Sequence, residues 1–495
     1  MIPYRKGCVI MKKIDNKYIR RIVYSIQFLM SIVLLSTMYF IRFVPMKYMM
    51  IVGIILIALM VGEYFLIFYK KQGSKRSLLT QFLSLVLSCL MVVASFYVYR
   101  TGQVVDLLGD EQFQTRAISV IVLKDSPIKN EYQLPEHLLS HVSYVDESTM
   151  DYTVSQIEKE VGQISLDDSS DFHQLVTKLY QKDVDAIILD EAFRSLVEQE
   201  KESFSDDTRV IFQVKRDEAA VNAKSVDVTE KPFLVYISGN DEYGDLTAVS
   251  RSDVNMPVGI NPTTKQILLI SIPRDIYYPL HRNGEYDKFT HTGMYGLQES
   301  IDTLTDMVDQ DINYYVRMNF TSFMDIVDAL GGVTVHSPEE FTTKIGGYQI
   351  QEGENHLNAK EALAFVRERK SFVDGDFARG RNQQRMISAI VKKVCSPAIL
   401  TSFSQVLDTI SQSIETNMPS DEMNALVQMQ LSQMPNWDIQ SYQIIGDSAS
   451  MPCYSVGMNA SVIIPNELSI TQAREYIDQF MDNEKIETEL GDLEQ

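Results

Sequence analysis

Cysteine and histidine are both scarce in this chain of 495 residues. Its four cysteines are too few for a disulfide framework, and their spacing matches no zinc motif. Cys8 and Cys89 fall in the first hundred residues, so Cys395 and Cys453 form the one pair for which a disulfide is an open question. The seven histidines form no HxH or HExxH pattern, which leaves little support for a transition-metal site.

Three long apolar runs occupy residues 22–43, 48–69 and 78–99. A helix needs about 20 apolar residues to cross a hydrocarbon core of about 30 Å. A signal peptide has a shorter apolar core and would not be followed by two more runs of this length. The sequence therefore predicts three transmembrane helices. Glu63 lies in the second, near its cytoplasmic end, where we expect it either to snorkel to the membrane surface or to face the helix bundle.

Cations flank these runs unevenly. Seven precede the first run: Arg5, Lys6, Lys12, Lys13, Lys17, Arg20 and Arg21. Four lie between the second and third runs (Lys70, Lys71, Lys75 and Arg76), whereas Arg42 and Lys47 alone separate the first two. Positive loops stay in the cytoplasm. We therefore expect a cytoplasmic N-terminus (residues 1–21), and everything after Arg100 outside the cell.

The charge outside the apolar region is strongly negative. Residues 1–100 carry 14 Lys and Arg against 2 Asp and Glu, and the remaining residues carry 31 against 64, a net charge of −33. Nucleic-acid binding depends on basic surfaces that displace phosphate counterions. The acidic balance therefore argues against a nucleic-acid partner.

Two α/β domains are predicted after the membrane region. Residues 101–215 read as a small accessory domain with strands near 117–123, 184–189 and 209–214, helices near 154–161, 172–180 and 191–201, and a partly parallel sheet. Residues 216–231 read as a linker. Residues 232–458 form the second domain, with strands near 232–239, 266–272, 314–318 and 333–335 and helices near 296–308, 322–330, 360–367 and 383–394. Residues 459–495 form an extension that ends in an acidic tail.

Arginines and aspartates recur at the ends of the second domain's elements. They are Asp241, Arg251, Asp253, Arg274, Asp275, Arg367, Arg369 and Arg379, with Gln383 one helical turn after Arg379. Alternation would place Arg251 and Asp253 on one face of a strand. Each residue alone has an ordinary explanation as a turn, a cap, an ion pair or a helix-dipole partner.

If these side chains lie close together in the fold, they indicate a ligand site that no single residue among them would indicate. Guanidinium groups stay charged and repel one another, so a cluster of them requires an anion. Two carboxylates beside such a cluster suit a hard divalent cation. An anion together with a hard cation points to phosphate chemistry.

Residues 233–394 resemble the LytR–CpsA–Psr family. The resemblance rests on SRSD at 250–253, IPRD at 272–275, DKFTHTGMYG at 287–296, DINYYVRMNFTSF at 311–323, DALGGV at 328–333, ALAFVRER at 362–369 and GRNQQ at 380–384. The three spans and the accessory unit resemble its capsule-type streptococcal members. The fold thus implied is an α/β/α domain with a central mixed sheet. Asn240 replaces a usual aliphatic residue, and Pro257 puts the local strand pairing in question.

The resemblance implies a membrane-anchored phosphotransferase in a Gram-positive-type envelope. Such an enzyme moves a capsular polysaccharide or exopolysaccharide from an undecaprenyl-pyrophosphate carrier to peptidoglycan through a phosphodiester bond, with pyrophosphatase side activity. Its other implied partners are membrane lipid and polysaccharide-assembly membrane proteins. A non-catalytic binder of polyprenyl phosphate and a transcriptional attenuator remain the alternatives.

Site roles follow from the same resemblance. Asp241 and Asp253 match ligands of Mg²⁺ or Mn²⁺, and Arg251, Arg274, Arg367, Arg369, Arg379 and Gln383 match pyrophosphate-binding positions. Arg251, Arg274 and Asp275 are the implied catalytic residues, with Asp275 orienting its neighbours, and Lys288 is a further head-group candidate. No general base is assigned.

Two apolar helical stripes have the pattern of ordinary core, which every packed amphipathic helix shows, and a tunnel for a polyprenyl tail would use the same residues. The first contains Phe320, Phe323, Met324, Val327 and Leu330, and the second contains Met386, Ile387, Ile390, Val391 and Val394. The sequence does not separate these two interpretations.

Overall fold

The computed structural model describes residues 16–41, 44–68, 75–108, 114–142, 146–241, 248–397, 399 and 403–493. It divides into one unit of residues 1–106 with 424–434 and a second of residues 107–423 with 435–495. Several residues used above lie outside the described part: Arg5, Lys6, Cys8, Lys12, Lys13, Arg42, Lys70 and Lys71, the side chains of Lys17, Lys75 and Arg76, and residues 494–495 of the tail.

The first unit contains three long helices, α1 (Asn16–Phe40), α2 (Met46–Phe68) and α3 (Lys75–Leu108). Tyr18–Phe40, Met46–Phe68 and Leu78–Arg100 are each long and apolar enough to cross a membrane, with hydropathies of 1.7, 2.6 and 2.2. The three predicted apolar helices are confirmed, and each is a candidate membrane span. Glu63 is hydrogen-bonded to Gln27 and Ser84 on the neighbouring helices, so it faces the bundle interior.

The second unit begins with a five-stranded sheet. Its strands are β1 (Thr115–Leu123), β2 (Leu138–His141), β3 (Ser165–Asp168), β4 (Ala186–Asp190) and β5 (Thr208–Asp217), in the order β3-β2-β4-β1-β5. β2 runs parallel to β3 and β4, and β1 runs antiparallel to β4 and β5. The helices are α4 (Glu147–Val161), α5 (Phe172–Gln181), α6 (Arg194–Glu200) and α7 (Phe204–Asp207), with 3-10 turns at Glu131–Glu136 and Glu191–Phe193.

A six-stranded mixed sheet forms the centre of this unit. The strands that follow β5 along the chain belong either to this central sheet or to smaller ribbons. They are β6 (Phe233–Gly239), β7 (Val254–Asn261), β8 (Gln266–Ser271), β9 (Tyr277–Pro279), β10 (Tyr286–Lys288), β11 (Tyr314–Met318), β12 (Val333–Ser337), β13 (Phe341–Thr342), β14 (Gln349–Ile350), β15 (Gly353–Leu357), β16 (Glu415–Thr416), β17 (Asp438–Gln443), β18 (Gly446–Cys453) and β19 (Met458–Pro465). The central sheet has the order β16-β11-β6-β7-β8-β17, and the other strands form two-stranded ribbons.

Helices cover both faces of the central sheet. The helices that follow β10 along the chain are α8 (Phe289–Thr292), α9 (Leu297–Val308), α10 (Phe320–Ala329), α11 (Ala359–Arg367), α12 (Asp376–Cys395), α13 (Phe403–Ser413), α14 (Ser420–Gln433) and α15 (Glu467–Met481), with a 3-10 turn at Gly293–Tyr295. Most of α14 is grouped with the first unit and is not one of the helices that cover the sheet. Leu268 and Ile270 pack with α9 and α15 on one face, and Ile267 and Leu269 pack toward α12 on the other. This alternation is that of a sheet buried on both sides, and it confirms the predicted α/β class.

Two expectations about strand β7 of the central sheet are wrong. Arg251 and Asp253 do not alternate along a strand, because β7 begins only at Val254. Pro257 does not interrupt β7, since it sits opposite Tyr236 of β6 and the register with β8 is the same on both sides of it. The proline therefore removes a single donor from an otherwise continuous strand.

Helix α12 begins seven residues earlier than predicted. Gly375 precedes it with a φ of 47°, a conformation that glycine adopts at little cost. Arg379 therefore lies in the first helical turn and Gln383 in the next.

A buried arginine joins the five-stranded sheet to the rest of this unit. Arg116 is 1% exposed, and its Nη1 lies 2.5 Å from Asp190 Oδ2 while its Nε lies 2.6 Å from Glu218 Oε1. Nη1 also donates to the carbonyl of Met294, 3.1 Å away, in the turn before α9. Beside this network the rings of Phe193 and Tyr295 lie 5.5 Å apart.

Replacing Arg116 with alanine should destabilise the second unit by about 3–5 kcal/mol, because the substitution leaves the buried Asp190 carboxylate without its partner. Urea or thermal unfolding of the full chain in detergent measures the change. The matched variant is Asp125→Asn at the exposed pair with Lys182, which should leave the midpoint unchanged. Equal midpoints for the two variants would contradict the account.

A candidate anion-binding cleft

A cleft of about 380 Å³ opens where β6 and β11 end. β6 runs parallel to β11, so both strands direct their carboxyl ends to this edge of the sheet, the usual ligand edge of α/β folds. The lining residues are Asn240, Asp241, Asp253, Val254, Arg274, Phe320, Lys344, Ile345, Val366, Arg367, Glu368, Arg369, Lys370, Arg379 and Gln383. Seven of the predicted site residues are therefore brought together, from segments far apart along the chain.

Two aspartates form the acidic wall of the cleft. Burial, and after it the negative charge of Asp253, raises the pKa of Asp241. Asp253 Oδ1 accepts a hydrogen bond of 2.6 Å from Arg274, whereas its buried Oδ2 has no partner among the described residues. The buried Oδ1 of Asn240 also lacks one. This oxygen-rich, unsatisfied corner suits Mg²⁺, which binds one or two carboxylates and completes its shell with water and phosphate oxygens.

Four arginines form the cationic wall. Arg379 Nη2 and Arg369 Nη1 share one carboxylate oxygen of Asp376, at 3.2 and 3.5 Å. Burial lowers the pKa of Arg379; the negative charge of Asp376 opposes this shift, whereas the positive charges of Arg274 and Arg369 add to it. The Arg367 guanidinium lies 4.3 Å from the centre of the Phe320 ring. The described carboxylates therefore leave this wall with excess positive charge.

Three predicted site residues lie outside the cleft lining. Asp275 Oδ1 forms an ion pair with Lys288 Nζ at 3.0 Å, and Asp275 Oδ2 lies 3.7 Å from Arg274 Nε. Lys288 and Arg274 lower the pKa of Asp275 although burial opposes them. Asp275 and Lys288 thus stand behind Arg274 and orient it, and the ammonium of Lys288 is already paired. Arg251 acts on Asp241 through its charge without lining the cleft.

The mouth of the cleft contains residues that the sequence did not single out. Glu368 is 4% exposed, and its carboxylate accepts hydrogen bonds from the backbone of Lys344 at 2.5 Å and of Arg369 and Ser371 at 3.0 Å each. This one side chain fixes two loops, 343–347 and 369–375. The adjacency of Lys370 to Arg369 is a signal that the sequence contains, whereas Lys344 lies in a hairpin without any such signal.

A smaller apolar cavity of about 80 Å³ adjoins the cleft. It shares Asn240, Val254, Phe320, Val366, Arg367 and Gln383 with it. Of the proposed tail-binding residues, Phe320, Phe323, Met386 and Ile387 line this cavity. Met324, Val327, Leu330 and Ile390 do not; they pack in the core between α10, α11 and α12, and that part of the prediction is corrected.

Cys395 and Cys453 do not form a disulfide in the structure. Burial raises the pKa values of their thiols to about 11 and about 12. Neither lines the cleft. Thiol chemistry therefore has no part in the site.

The LytR_cpsA_psr family model matches residues 195–476. The chain belongs to this family. Among curated relatives, the polyisoprenyl-teichoic acid–peptidoglycan teichoic acid transferase TagU of Bacillus licheniformis is 35% identical over 229 residues, which cover 46% of this chain and 68% of that protein. TagU of Bacillus subtilis strain 168 is 36% identical over 228 residues, covering 46% and 69%.

Solved structures of the same group align with about half of the chain. Bacillus subtilis TagV is 26% identical with a TM-score of 0.44, covering 52% of this chain and 99% of that one. Bacillus subtilis TagT is 28% identical with a TM-score of 0.42, covering 52% and 94%.

Glu368→Gln should loosen both loops at the mouth of the cleft. A neutral amide keeps one acceptor oxygen and brings an unwanted donor, so the loss of charge-assisted hydrogen bonds should cost about 1.5–3 kcal/mol. Hydrogen–deuterium exchange of the full chain should show faster exchange at 343–347 and 369–375. Glu354→Gln, at an exposed glutamate outside the cleft, is the control. Unchanged protection in the Glu368 variant would show that the carboxylate does not order these loops.

Proposed function

We propose that this chain is a phosphotransferase that attaches a polyisoprenyl-pyrophosphate-linked glycopolymer to peptidoglycan. The observation that carries the proposal is one cleft in which four arginines face two aspartates, with an apolar cavity opening from it. Family membership supports the proposal, and so do the relatives named as polyisoprenyl-teichoic acid–peptidoglycan transferases.

The finer assignments are part of the same proposal. The carrier is undecaprenyl pyrophosphate, and the polymer is a capsular polysaccharide or exopolysaccharide. The second unit works outside the cell, because the cation distribution around the spans favours a cytoplasmic N-terminus.

The cleft binds the pyrophosphate between its two walls. Arg274, Arg367, Arg369 and Arg379 neutralise the phosphoryl oxygens, and guanidinium groups are suited to this because they bind phosphate through paired donors. Gln383 Nε2 lies 3.5 Å from the carbonyl of Val366, which holds the amide at the junction of the cleft and the apolar cavity. The first isoprene units enter that cavity between Phe320, Phe323 and Met386.

In the transfer step, an acceptor hydroxyl oxygen attacks the phosphorus nearest the sugar. A new P–O bond forms, the bond to the bridging oxygen breaks, and the electron pair leaves with the polyisoprenyl phosphate while the hydroxyl loses its proton. A divalent cation held by Asp241 and Asp253 would supply additional charge neutralisation. Asp275 is a poor proton acceptor, because Lys288 and Arg274 stabilise its charged form. Its role is to hold Arg274 in position.

Arg274→Ala and Asp253→Ala should each lower polymer transfer by about 10²–10³-fold, since each removes charge stabilisation at the reacting phosphate. The assay is the full chain in detergent with lipid-linked polymer and peptidoglycan, read as polymer recovered on the wall fraction. Lys485→Ala, at an exposed lysine outside the cleft, is the control.

Full transfer by both cleft variants would refute the assignment. Binding of polyisoprenyl phosphate by the wild-type chain without any transfer would favour the non-catalytic alternative instead.

Chelation should abolish transfer, and Mg²⁺ should restore it. Asp241→Asn should raise the Mg²⁺ concentration needed for half-maximal rate, because it removes one anionic oxygen ligand. Asp325→Asn on α10, outside the cleft lining, should leave that concentration unchanged. Transfer that persists at full rate in excess chelator would remove the metal from the proposal.

A further inference from the structure

The mouth of the cleft exposes apolar side chains beside cations. Ile345 is 49% exposed and Val373 is fully exposed, whereas Phe372, the other apolar residue of these two loops, is half-buried. Lys344, Arg369 and Lys370 are exposed next to them. We call these five residues the rim.

The rim stands on a fixed base. The rings of Phe341 and Phe372 lie 4.8 Å apart, and Ser371 Oγ donates to the carbonyl of Thr342 at 3.0 Å. The Glu368 carboxylate binds the backbone of both loops. The two loops are thus joined below their tips, and the exposure of Ile345 and Val373 belongs to an ordered feature.

The rim is also locally cationic in an acidic chain. The carboxylates beside it are already engaged: Asp374 binds Arg381 at 2.5 Å, Asp376 is shared by Arg379 and Arg369, and Glu368 accepts three backbone hydrogen bonds. Within the described residues, Lys344 and Lys370 form no ion pair. Outside the first hundred residues the chain carries a net charge of −33, so a positive patch around an active cleft is an exception that needs a physical reason.

We propose that the rim docks on the anionic surface of the lipid bilayer, with Ile345 and Val373 inserted among the headgroups. Interfacial loops combine apolar side chains that enter the acyl boundary with lysine and arginine that attract anionic lipids. A protein partner fits less well, because two aliphatic side chains offer none of the aromatic anchors typical of interface hot spots.

Weak docking is sufficient here, because the chain carries three candidate membrane spans. A tethered contact forms at high effective concentration, so two inserted side chains and three cations can hold it. The inference rests on the proposed function: a lipid-linked substrate must leave the bilayer, and docking places the cleft mouth where the substrate emerges.

The chain offers a convenient probe, because Trp437 is its only tryptophan. The full-length protein carrying Trp437→Phe and Val373→Trp is reconstituted in vesicles of phosphatidylglycerol and phosphatidylcholine. Docking predicts a blue-shifted emission that brominated lipids quench. Quenching should fall in pure phosphatidylcholine, at high salt, and when Lys344→Glu and Lys370→Glu are added.

Leu468→Trp in the same Trp437→Phe background is the matched control. Leu468 is 78% exposed at the start of α15 and lies outside the rim, so brominated lipids should leave its emission unchanged. Absence of lipid quenching at position 373, or equal quenching with and without anionic lipid, overturns the proposal.

The proposals of membrane docking and of polymer transfer can be tested independently. The fluorescence measurement needs no turnover, and adding Arg274→Ala to the position 373 probe should leave its lipid quenching intact. Quenching without transfer of any substrate would refute the function and leave membrane docking standing. Transfer by a chain whose rim is never quenched would refute docking alone.

Discussion

Unbalanced positive charge in one cleft is the constraint on which the rest of the structure depends. Arg379 and Arg369 share a single oxygen of Asp376, and Asp253 and Asp275 approach two different nitrogen atoms of Arg274. These carboxylates orient the guanidinium groups without neutralising all of them. Bringing like charges together costs free energy that folding must supply. The negative charge of a bound diphosphate would offset this repulsion.

The scaffold that supplies this free energy lies around the cleft. The parallel pair β6 and β11 sets the edge at which the acidic wall stands, and the backbone of Asp253 donates to Gly239 at 2.7 Å. Behind it, Gly293 lies so close to Ser250 and Ser252 that a Cβ there would meet backbone atoms at 2.5–2.8 Å. Arg116 binds the carbonyl of the next residue, Met294, so the five-stranded sheet supports the same turn. Packed contacts therefore connect the five-stranded sheet, through this turn, to residues 250–252 beside the cleft.

Much of this was predictable from the sequence, because its signals are local. Runs such as FLVYISG and QILLIS mark buried strands by composition, and Tyr314–Met318 was placed to the residue. The arginines and aspartates at element ends were recognisable because a charge after a buried strand is unusual. The start of α12 is not evident in the sequence, because residues 376–382 contain one large apolar residue, Phe377, and so show no apolar period; the helix begins after Gly375, whose conformation ends the loop.

Tertiary contacts determine what the sequence leaves open. No pattern distinguishes Phe323, which lines the apolar cavity, from Val327 one turn later, which is buried in the core. Lys288 was grouped with the anion-binding residues, yet its ammonium is committed to Asp275. Lys344 reaches the cleft through a hairpin fixed by Glu368, a contact between segments more than 20 residues apart.

The most direct test of the central claim is calorimetric titration of the full chain with methylene diphosphonate, a non-hydrolysable diphosphate, in the presence of Mg²⁺. Saturable binding that weakens with salt and is lost in Arg379→Gln is the predicted result. Absence of binding, or equal binding by the wild-type chain and the Arg379 variant, would contradict it.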